Sequence, residues 1–165
     1  MDSQSAFLRE IIDAPEDDAP RLIYADWLEE RGDPKAGFIR AQCQLAHMNP
    51  DDPGRSVLLH REQGYLFVYG DEWLGELPSL PGVEWGITVD GVSRAFQRGF
   101  VEDVAASDPK SFFQAAEILF DATCIRRLRI RGMTPAACEL LSRVEVLSRL
   151  KWLELTAGFI GPNGA

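Results

Sequence analysis

Three short segments in the last third of the chain share one spacing of apolar residues, and this spacing constrains the fold more than any other sequence feature. In segments 101–106, 125–130 and 150–155, apolar residues occupy the first, fourth and sixth positions. These residues are Val101, Val104 and Ala106, then Ile125, Leu128 and Ile130, then Leu150, Leu153 and Leu155. The segments begin 24 and 25 residues apart, and helical patterns introduced by Pro109 and Pro135 lie between them. The chain therefore predicts three strands that alternate with helices.

The pattern L-x-x-L-x-L, recurring with a helix every ~20–29 residues, is typical of leucine-rich repeats. One strand–helix unit cannot bury its apolar face alone, whereas stacked units share a core and line a concave surface with a parallel sheet. We therefore expect residues 83–165 to form a short leucine-rich-repeat-like solenoid with strands near 101–106, 125–130 and 150–155.

The first 75 residues instead predict helices only. Apolar residues recur at helical spacing, and prolines at 20 and 34 fit the first turns of two helices. Gly32 is suited to the left-handed residue that ends a helix beginning near Ala19 and running to about Arg31. The predicted fold class is thus α/β, in its α+β form: a helical domain over residues 1–75, followed by the strand–helix segment.

The two halves meet at a proline-rich boundary. Pro78 and Pro81 remove backbone donors and prevent a helix from continuing. After them, 85–89 has a strand-like composition, Asp90-Gly91 is a hairpin signal, and 92–96 can return as an antiparallel strand.

The N-terminal run 17–34, with the sequence DDAPRLIYADWLEERGDP, resembles the repeat-companion domain of large bacterial paralogue families. The similarity covers about 45 residues. In that family the domain commonly precedes ribonuclease-inhibitor-like leucine-rich repeats, and segment 98–102 is similar to the lead-in to the first repeat. The tail 153–165 is similar to a repeat turn but has Gly158 where Asn is usual. The resemblance implies a helical domain before a repeat array, and supplies no catalytic residues.

Net charge and apolar content exclude several function classes. With 17 Lys and Arg against 26 Asp and Glu, the formal charge is −9, which disfavours the phosphate neutralisation that nucleic-acid binding needs. No apolar run approaches the length that spans a bilayer, and the N-terminus lacks the features of a secretion signal. The three cysteines, Cys43, Cys124 and Cys138, have no paired spacing, as expected of reduced thiols. We expect a cytoplasmic protein that binds neither membrane nor nucleic acid.

One predicted strand carries a concentration of arginines. Because side chains alternate along a strand, Arg127, Arg129 and Arg131 share one face, beside Trp152 and Glu154 of the next strand. Arginine and tryptophan on a concave sheet are typical of protein-binding hot spots. The alternative is a solvated face with cross-strand pairs such as Arg129 with Glu154.

A second candidate surface contains Trp27 and Arg31 on the second helix. Exposed Trp and Arg are frequent interface anchors. The alternative assigns Trp27 and Tyr24 to the helical core and pairs Asp26 with Arg21 or Arg40.

Catalysis and metal binding have little support in the sequence. Cys43 and His47 lie four residues apart and His60 could approach them, but a fourth ligand is not evident. Acidic pairs such as Asp17-Asp18 are better explained as helix caps and solvated faces than as general acids. No nucleophile, phosphate-loop or zinc motif occurs. The sequence therefore predicts no catalytic residue, no metal site and no cofactor.

Together these observations favour a non-enzymatic protein–protein interaction module that binds a protein partner, with acidic groups, through the concave strand face. The alternative is a regulatory or accessory subunit, an inhibitor or adaptor, of a bacterial signalling or defence enzyme complex. The last repeat has an uncapped apolar end, which offers a surface for self-association.

Overall fold

The computed structural model describes residues 3–86, 88–89, 92–93 and 95–158, with the backbone alone at 88–89 and 92–93. The described chain divides into two compact units. The first contains the residues up to Leu77 together with Phe96–Phe100, and the second contains Pro78–Ala95 and the residues from Val101 onward. The expected mixture of helix and strand is confirmed, in an α+β arrangement. None of the described helices combines the length and apolarity needed to cross a membrane.

Four helices build the first unit: α1 (Ser3–Asp13), α2 (Ala19–Glu29), α3 (Lys35–His47) and α4 (Arg55–Gly75). Pro20 lies in the first turn of α2, as the sequence predicts. Helix α2 ends two residues before the predicted Arg31, and Gly32 adopts the left-handed conformation, with φ +70°. The tight turn made possible by this glycine lets α3 begin only six residues after α2 ends.

The strands within the described residues are β1 (Val83–Trp85), β2 (Thr88–Val89), β3 (Val92–Ser93), β4 (Phe96–Gln97), β5 (Phe100–Val101), β6 (Asp103–Ala106), β7 (Arg127–Met133) and β8 (Trp152–Ala157). Strands β2 and β3 pair antiparallel, and the predicted Asp90-Gly91 turn between them lies outside the described residues. Strands β4 and β5 form a second hairpin.

The turn between β4 and β5 uses two left-handed residues, Arg98 at φ +47° and Gly99 at φ +91°. Both central residues of a type I′ hairpin turn require positive φ. A Cβ on Gly99 would lie 2.3 Å from a side-chain carbon of Ile39, so only glycine fits at this position. This close approach places the turn directly against helix α3 of the same unit.

The second unit is built on a four-stranded sheet in the order β1-β6-β7-β8. Strands β6, β7 and β8 are parallel, and β1 pairs antiparallel with β6. Helix α5 (Pro109–Ala122) connects β6 to β7, while α6 (Pro135–Leu141) and a 3₁₀ helix (Glu145–Arg149) connect β7 to β8. The side chains of Asp108 and Thr134 cap α5 and α6 by accepting backbone N–H groups. This is the local chemistry expected at a helix start.

The strands begin about two residues later than the sequence pattern suggests. Val101 belongs to the β4–β5 hairpin, and Ile125 and Leu150 precede β7 and β8. The connecting backbone already bonds there, since the N–H groups of Arg126 and Arg127 both donate to the Glu102 carbonyl. Ile125 and Leu150 therefore end a connection rather than starting a strand.

The core of the second unit is apolar and lies on one face of the sheet. Val104 and Ala106 of β6 and Leu128 and Ile130 of β7 are fully buried there, together with residues of α5 such as Phe112. The corresponding Leu153 and Leu155 of β8 are 40% exposed. The sequence pattern assigned all three strands equivalent core positions, whereas the structure buries only the first two. Residues 159–165 of the tail 153–165, which is similar to a repeat turn, lie outside the described residues.

Candidate functional site

The candidate binding face lies on the sheet side opposite the apolar core. In β7, Leu128 and Ile130 are fully buried while Arg127 and Arg129 are half-buried, so the strand alternates as its sequence suggests. The parallel register places Arg127 beside Trp152 and Arg129 beside Glu154 of β8. The pairing of the two strands therefore brings these four side chains onto one face. We call these four residues and Arg131 the strand face.

Arg129 links the two β8 side chains of the strand face. Its Nε lies 2.8 Å from Glu154 Oε2, and its guanidinium is 5.8 Å from the centre of the Trp152 ring. The Arg129–Glu154 pair that the alternative interpretation of this face expects is present. An ion pair at this partial exposure contributes little to stability, about 0–1 kcal/mol. Its clearer effect is to fix the guanidinium beside the indole.

Arg127 forms an ion pair that was not anticipated. Its Nε lies 3.1 Å from Oδ1 of Asp103, the register partner of Arg127 in β6. Asp103 is almost completely buried, and this burial raises the pKa of its carboxyl, while the nearby charges of Arg127 and Arg129 oppose the rise. Arg127 is therefore occupied in compensating a buried carboxylate.

Arg131 lies where the regular pairing of β7 and β8 is interrupted before it resumes at Met133. The register shifts between Ile130 and Met133, and Gly132 adopts a left-handed φ of +70°. Such an irregularity re-aims the side chains around it. Arg131 is exposed, whereas Arg127 and Arg129 face carboxylates of the same unit, so Arg131 is the arginine best placed to meet an external carboxylate.

Strand β8 forms one edge of the sheet within the described part of the chain. Its Trp152 ring is 40% exposed on the strand face, and Leu153 and Leu155 are equally exposed on the other face. An edge strand carries unpaired backbone donors and acceptors that can pair with another chain. The strand face thus combines an exposed aromatic ring, a fixed ion pair and an exposed arginine next to a sheet edge.

The second predicted surface is already covered by its own residues. The Arg31 guanidinium lies 3.8 Å from the centre of the Trp27 ring, and its Nη1 donates to the Trp27 carbonyl at 2.8 Å. Phe7 and Tyr24 also contact the Trp27 ring, at centroid distances of 5.7 and 5.8 Å. Trp27 and Arg31 therefore contact each other directly, and the tryptophan is packed on several sides.

Asp26 pairs with Arg40 at 2.7 Å, one of the two partners considered for it. The other, Arg21, is completely buried: its Nη1 donates to the Asp17 carbonyl at 3.0 Å, and its guanidinium lies 5.7 Å from the Phe100 ring centre. The sequence pattern places exposed Leu22 and Ile23 in the apolar stripe of α2 and misses Arg21. No local signal identifies this arginine, because its aromatic neighbour is distant in sequence.

The three residues considered for zinc have separate surroundings. His47 Nε2 lies 2.8 Å from Asp18 Oδ2, His60 Nδ1 lies 2.7 Å from the Ser56 carbonyl, and Cys43 is buried. Among the residues that the structure describes, no three His, Cys, Asp or Glu side chains are grouped to hold a metal.

The first unit contains a cleft of about 180 Å³ that the sequence does not reveal. Its lining residues are Gln42, Leu45, Ala46, Arg55, Leu59, Glu62, Phe96, Gln97 and Arg98. Buried Gln42 donates to Glu62 and to the Phe96 carbonyl and accepts from the Gly99 N–H. Arg98 donates to the Pro15 and Glu16 carbonyls and to Asp18. Gln42 and Arg98 are thus used to hold the β4–β5 turn, whereas Arg55 donates to the Leu45 carbonyl near the end of α3.

The chain was compared with protein-family models, with curated protein sequences and with solved structures, and none of the three comparisons gives a match. The resemblance to the repeat-companion family therefore stays an expectation from the sequence.

Proposed function

We propose that this protein is a non-enzymatic interaction module that binds a protein partner through the strand face formed by Arg127, Arg129, Arg131, Trp152 and Glu154. The second unit acts in this proposal as a short leucine-rich-repeat-like array. Strand β7 pairs in parallel with residues 24 positions earlier in β6 and 25 positions later in β8, and helices make both connections. This pairing supports the proposal because it follows the spacing of leucine-rich repeats.

The exposed Trp152 ring is the observation that carries the proposal. A large aromatic side chain loses little conformational entropy on binding and buries much apolar area, which makes Trp a frequent hot-spot residue. Here Arg129 and Glu154 already hold the surroundings of the ring in place. The partner would present an apolar group to Trp152 and a carboxylate to Arg131.

A capture experiment tests the strand face. The wild-type protein and the variants Trp152→Ala and Arg131→Glu are used as bait, and bound proteins are quantified by mass spectrometry. Ile118→Ala and Arg143→Glu serve as matched controls, since they remove an exposed apolar side chain and reverse an exposed charge elsewhere in the second unit. We expect the partner to be retained by both controls and reduced at least about tenfold by both strand-face variants.

Retention of every specifically captured protein by both strand-face variants would overturn the assignment. Capture of one enzyme at constant stoichiometry, through the same residues, would identify the module as the regulatory or accessory subunit considered as the alternative.

A further inference from the structure

Helix α4 of the first unit exposes an unusual amount of apolar side chain. Phe67 is 93% exposed, and Val57 and Val68 are each 62% exposed. The helix buries Leu58, Gly70 and Trp73 on its other side. Leu59, the fourth exposed apolar residue of α4, is 36% exposed. Scattered exposed apolar residues are ordinary, but four on one helix suggest a contact surface.

Two of these residues, Val57 and Val68, belong to a regular stripe along α4. Its members follow one another at alternating steps of four and three residues, the spacing of a two-helix seam. They are Val57, Arg61, Gly64, Val68, Asp71 and Gly75. Phe67 flanks the stripe near its middle. The stripe runs from residue 57 to residue 75, a length of about 27 Å at the helical rise.

The stripe is complementary to itself when a second copy runs in the opposite direction. Two antiparallel α4 helices can be aligned so that the two-fold axis between them passes at the level of residue 66 of each copy. In this alignment Arg61 of each copy faces Asp71 of the other. Val57 then faces Gly75, and Val68 faces Gly64. Both glycines have open space around the position of a Cβ, so each leaves room for the facing valine.

A parallel arrangement would instead place Arg61 against Arg61 and Asp71 against Asp71. Like charges directly opposed are destabilising, so the charges select the antiparallel form.

We propose that the exposed stripe of α4 is a homodimer interface, in which two copies of this chain pack their α4 helices antiparallel with Arg61 paired to Asp71 of the other copy. The partner is a second copy of this chain because both the charged pair and the valine–glycine pairs are complementary between two identical helices. The inference uses only α4 and does not depend on the function proposed for the strand face. It also differs from self-association through β8, since β8 contributes nothing to the stripe.

One five-turn helix pair is a small interface, at the lower end of specific protein–protein contacts, so the dimer is expected to depend on protein concentration. Sedimentation equilibrium of the full chain up to about 1 mM measures its dissociation constant. We expect Arg61→Asp and Asp71→Arg each to raise this constant at least about tenfold, because each variant opposes like charges twice in the dimer. The double variant, with the charges exchanged, should return to within about threefold of wild type.

Mixing the two single variants gives a sharper measurement. The Arg61→Asp copy carries an acidic side chain at both stripe positions, and the Asp71→Arg copy carries a basic side chain at both. In a mixed dimer each acidic group faces a basic one, so both pairs are attractive. The mixture should associate more tightly than either variant alone. Arg9→Asp, the same charge change at an exposed position of α1, should leave the dissociation constant unchanged.

Three results would overturn the interface. The first is a wild-type chain that stays monomeric across the whole concentration range. The second is a dimer that Arg9→Asp weakens as much as Arg61→Asp. The third is a dimer that Leu153→Lys abolishes while both α4 charge variants leave it intact, which would assign self-association to the β8 edge.

Discussion

Both units pack their strands on apolar residues, but only the first adds a set of directed hydrogen bonds at a turn. In the first, Phe96 packs on Phe38, and hydrogen bonds from Gln42 and Arg98 also fix the β4–β5 turn against helices. In the second, the parallel strands are held on their inner face by close-packed apolar residues such as Leu128 and Phe112. Directed polar bonds specify one position and are costly to leave unmade, whereas apolar burial follows a repeated pattern that tolerates variation along it.

The difference also explains how a strained turn persists in the first unit. Arg98 is not a glycine, and its left-handed backbone costs about 1–3 kcal/mol. Its guanidinium compensates by bonding two carbonyls and the Asp18 carboxylate. Charge-assisted hydrogen bonds are stronger than neutral ones, so three of them can hold the strained residue.

The largest effect is expected where apolar burial is complete. Leu128→Ala should lower the free energy of unfolding by about 3–4 kcal/mol, because the side chain is fully buried and leaves a cavity. Leu153→Ala removes the same atoms from the register partner in β8, where the side chain is 40% exposed, and should cost less than about 1.5 kcal/mol. Urea denaturation followed by circular dichroism measures both. Equal losses would show that β8 is covered as well as β7 and would remove the distinction between the two strands.

This contrast marks how far the sequence could predict the fold. Local patterns predict that α2 and α3 begin near prolines and that strands alternate with helices in the second unit. The structure shows both features. The exposure of Leu153 and Leu155 does not follow, because burial depends on what covers a strand and not on its own spacing. The β4–β5 turn was also missed, since Gln42 lies 57 residues from Gly99, the residue whose N–H it accepts.

The candidate site was predictable to a similar extent. The repeat spacing places Arg129 beside Glu154, and that pair forms. The same spacing also places Asp103 beside Arg127, but burial of Asp103 carries no sequence signal and its pairing was overlooked. The sequence therefore indicates which side chains share the strand face, whereas only the structure shows which charges remain exposed.

A smaller loss of unfolding free energy is expected from removing the Gln42 hydrogen bonds of the first unit. Gln42→Leu removes the acceptor of the Gly99 N–H and the donor to the Phe96 carbonyl, and should cost about 2 kcal/mol because buried polar groups lose their partners. Gln44→Leu makes the same change at an exposed position of α3 and should cost within about 0.5 kcal/mol. Urea denaturation gives both values, and hydrogen exchange should show faster exchange at the Gly99 amide in Gln42→Leu alone. Equal stability of the two variants would mean that the turn does not depend on Gln42.

The smallest effect concerns charge within the apolar second unit, where two carboxyl groups have opposite pKa shifts. Burial raises the pKa of Asp103. As pH rises from the unfolded pKa of an aspartate through the higher folded pKa, the folded chain therefore keeps a proton that the unfolded chain has lost, and stability falls. Hydrogen bonds from the Ser111 N–H, the Ser111 hydroxyl and the Ser107 hydroxyl lower the pKa of Asp108, so its contribution is present above the unfolded pKa and is lost as pH falls.

Asp103→Asn should therefore gain stability relative to wild type as pH rises through this range, and Asp108→Asn should lose it. Urea unfolding at several pH values measures the two slopes, with each variant serving as the control for the other. Slopes of the same sign would contradict the account of Asp103 as a buried carboxylate beside Arg127. Opposite slopes would show that the second unit keeps a buried charge at a cost, on the sheet face opposite its apolar core, where Arg127 is ion-paired to it.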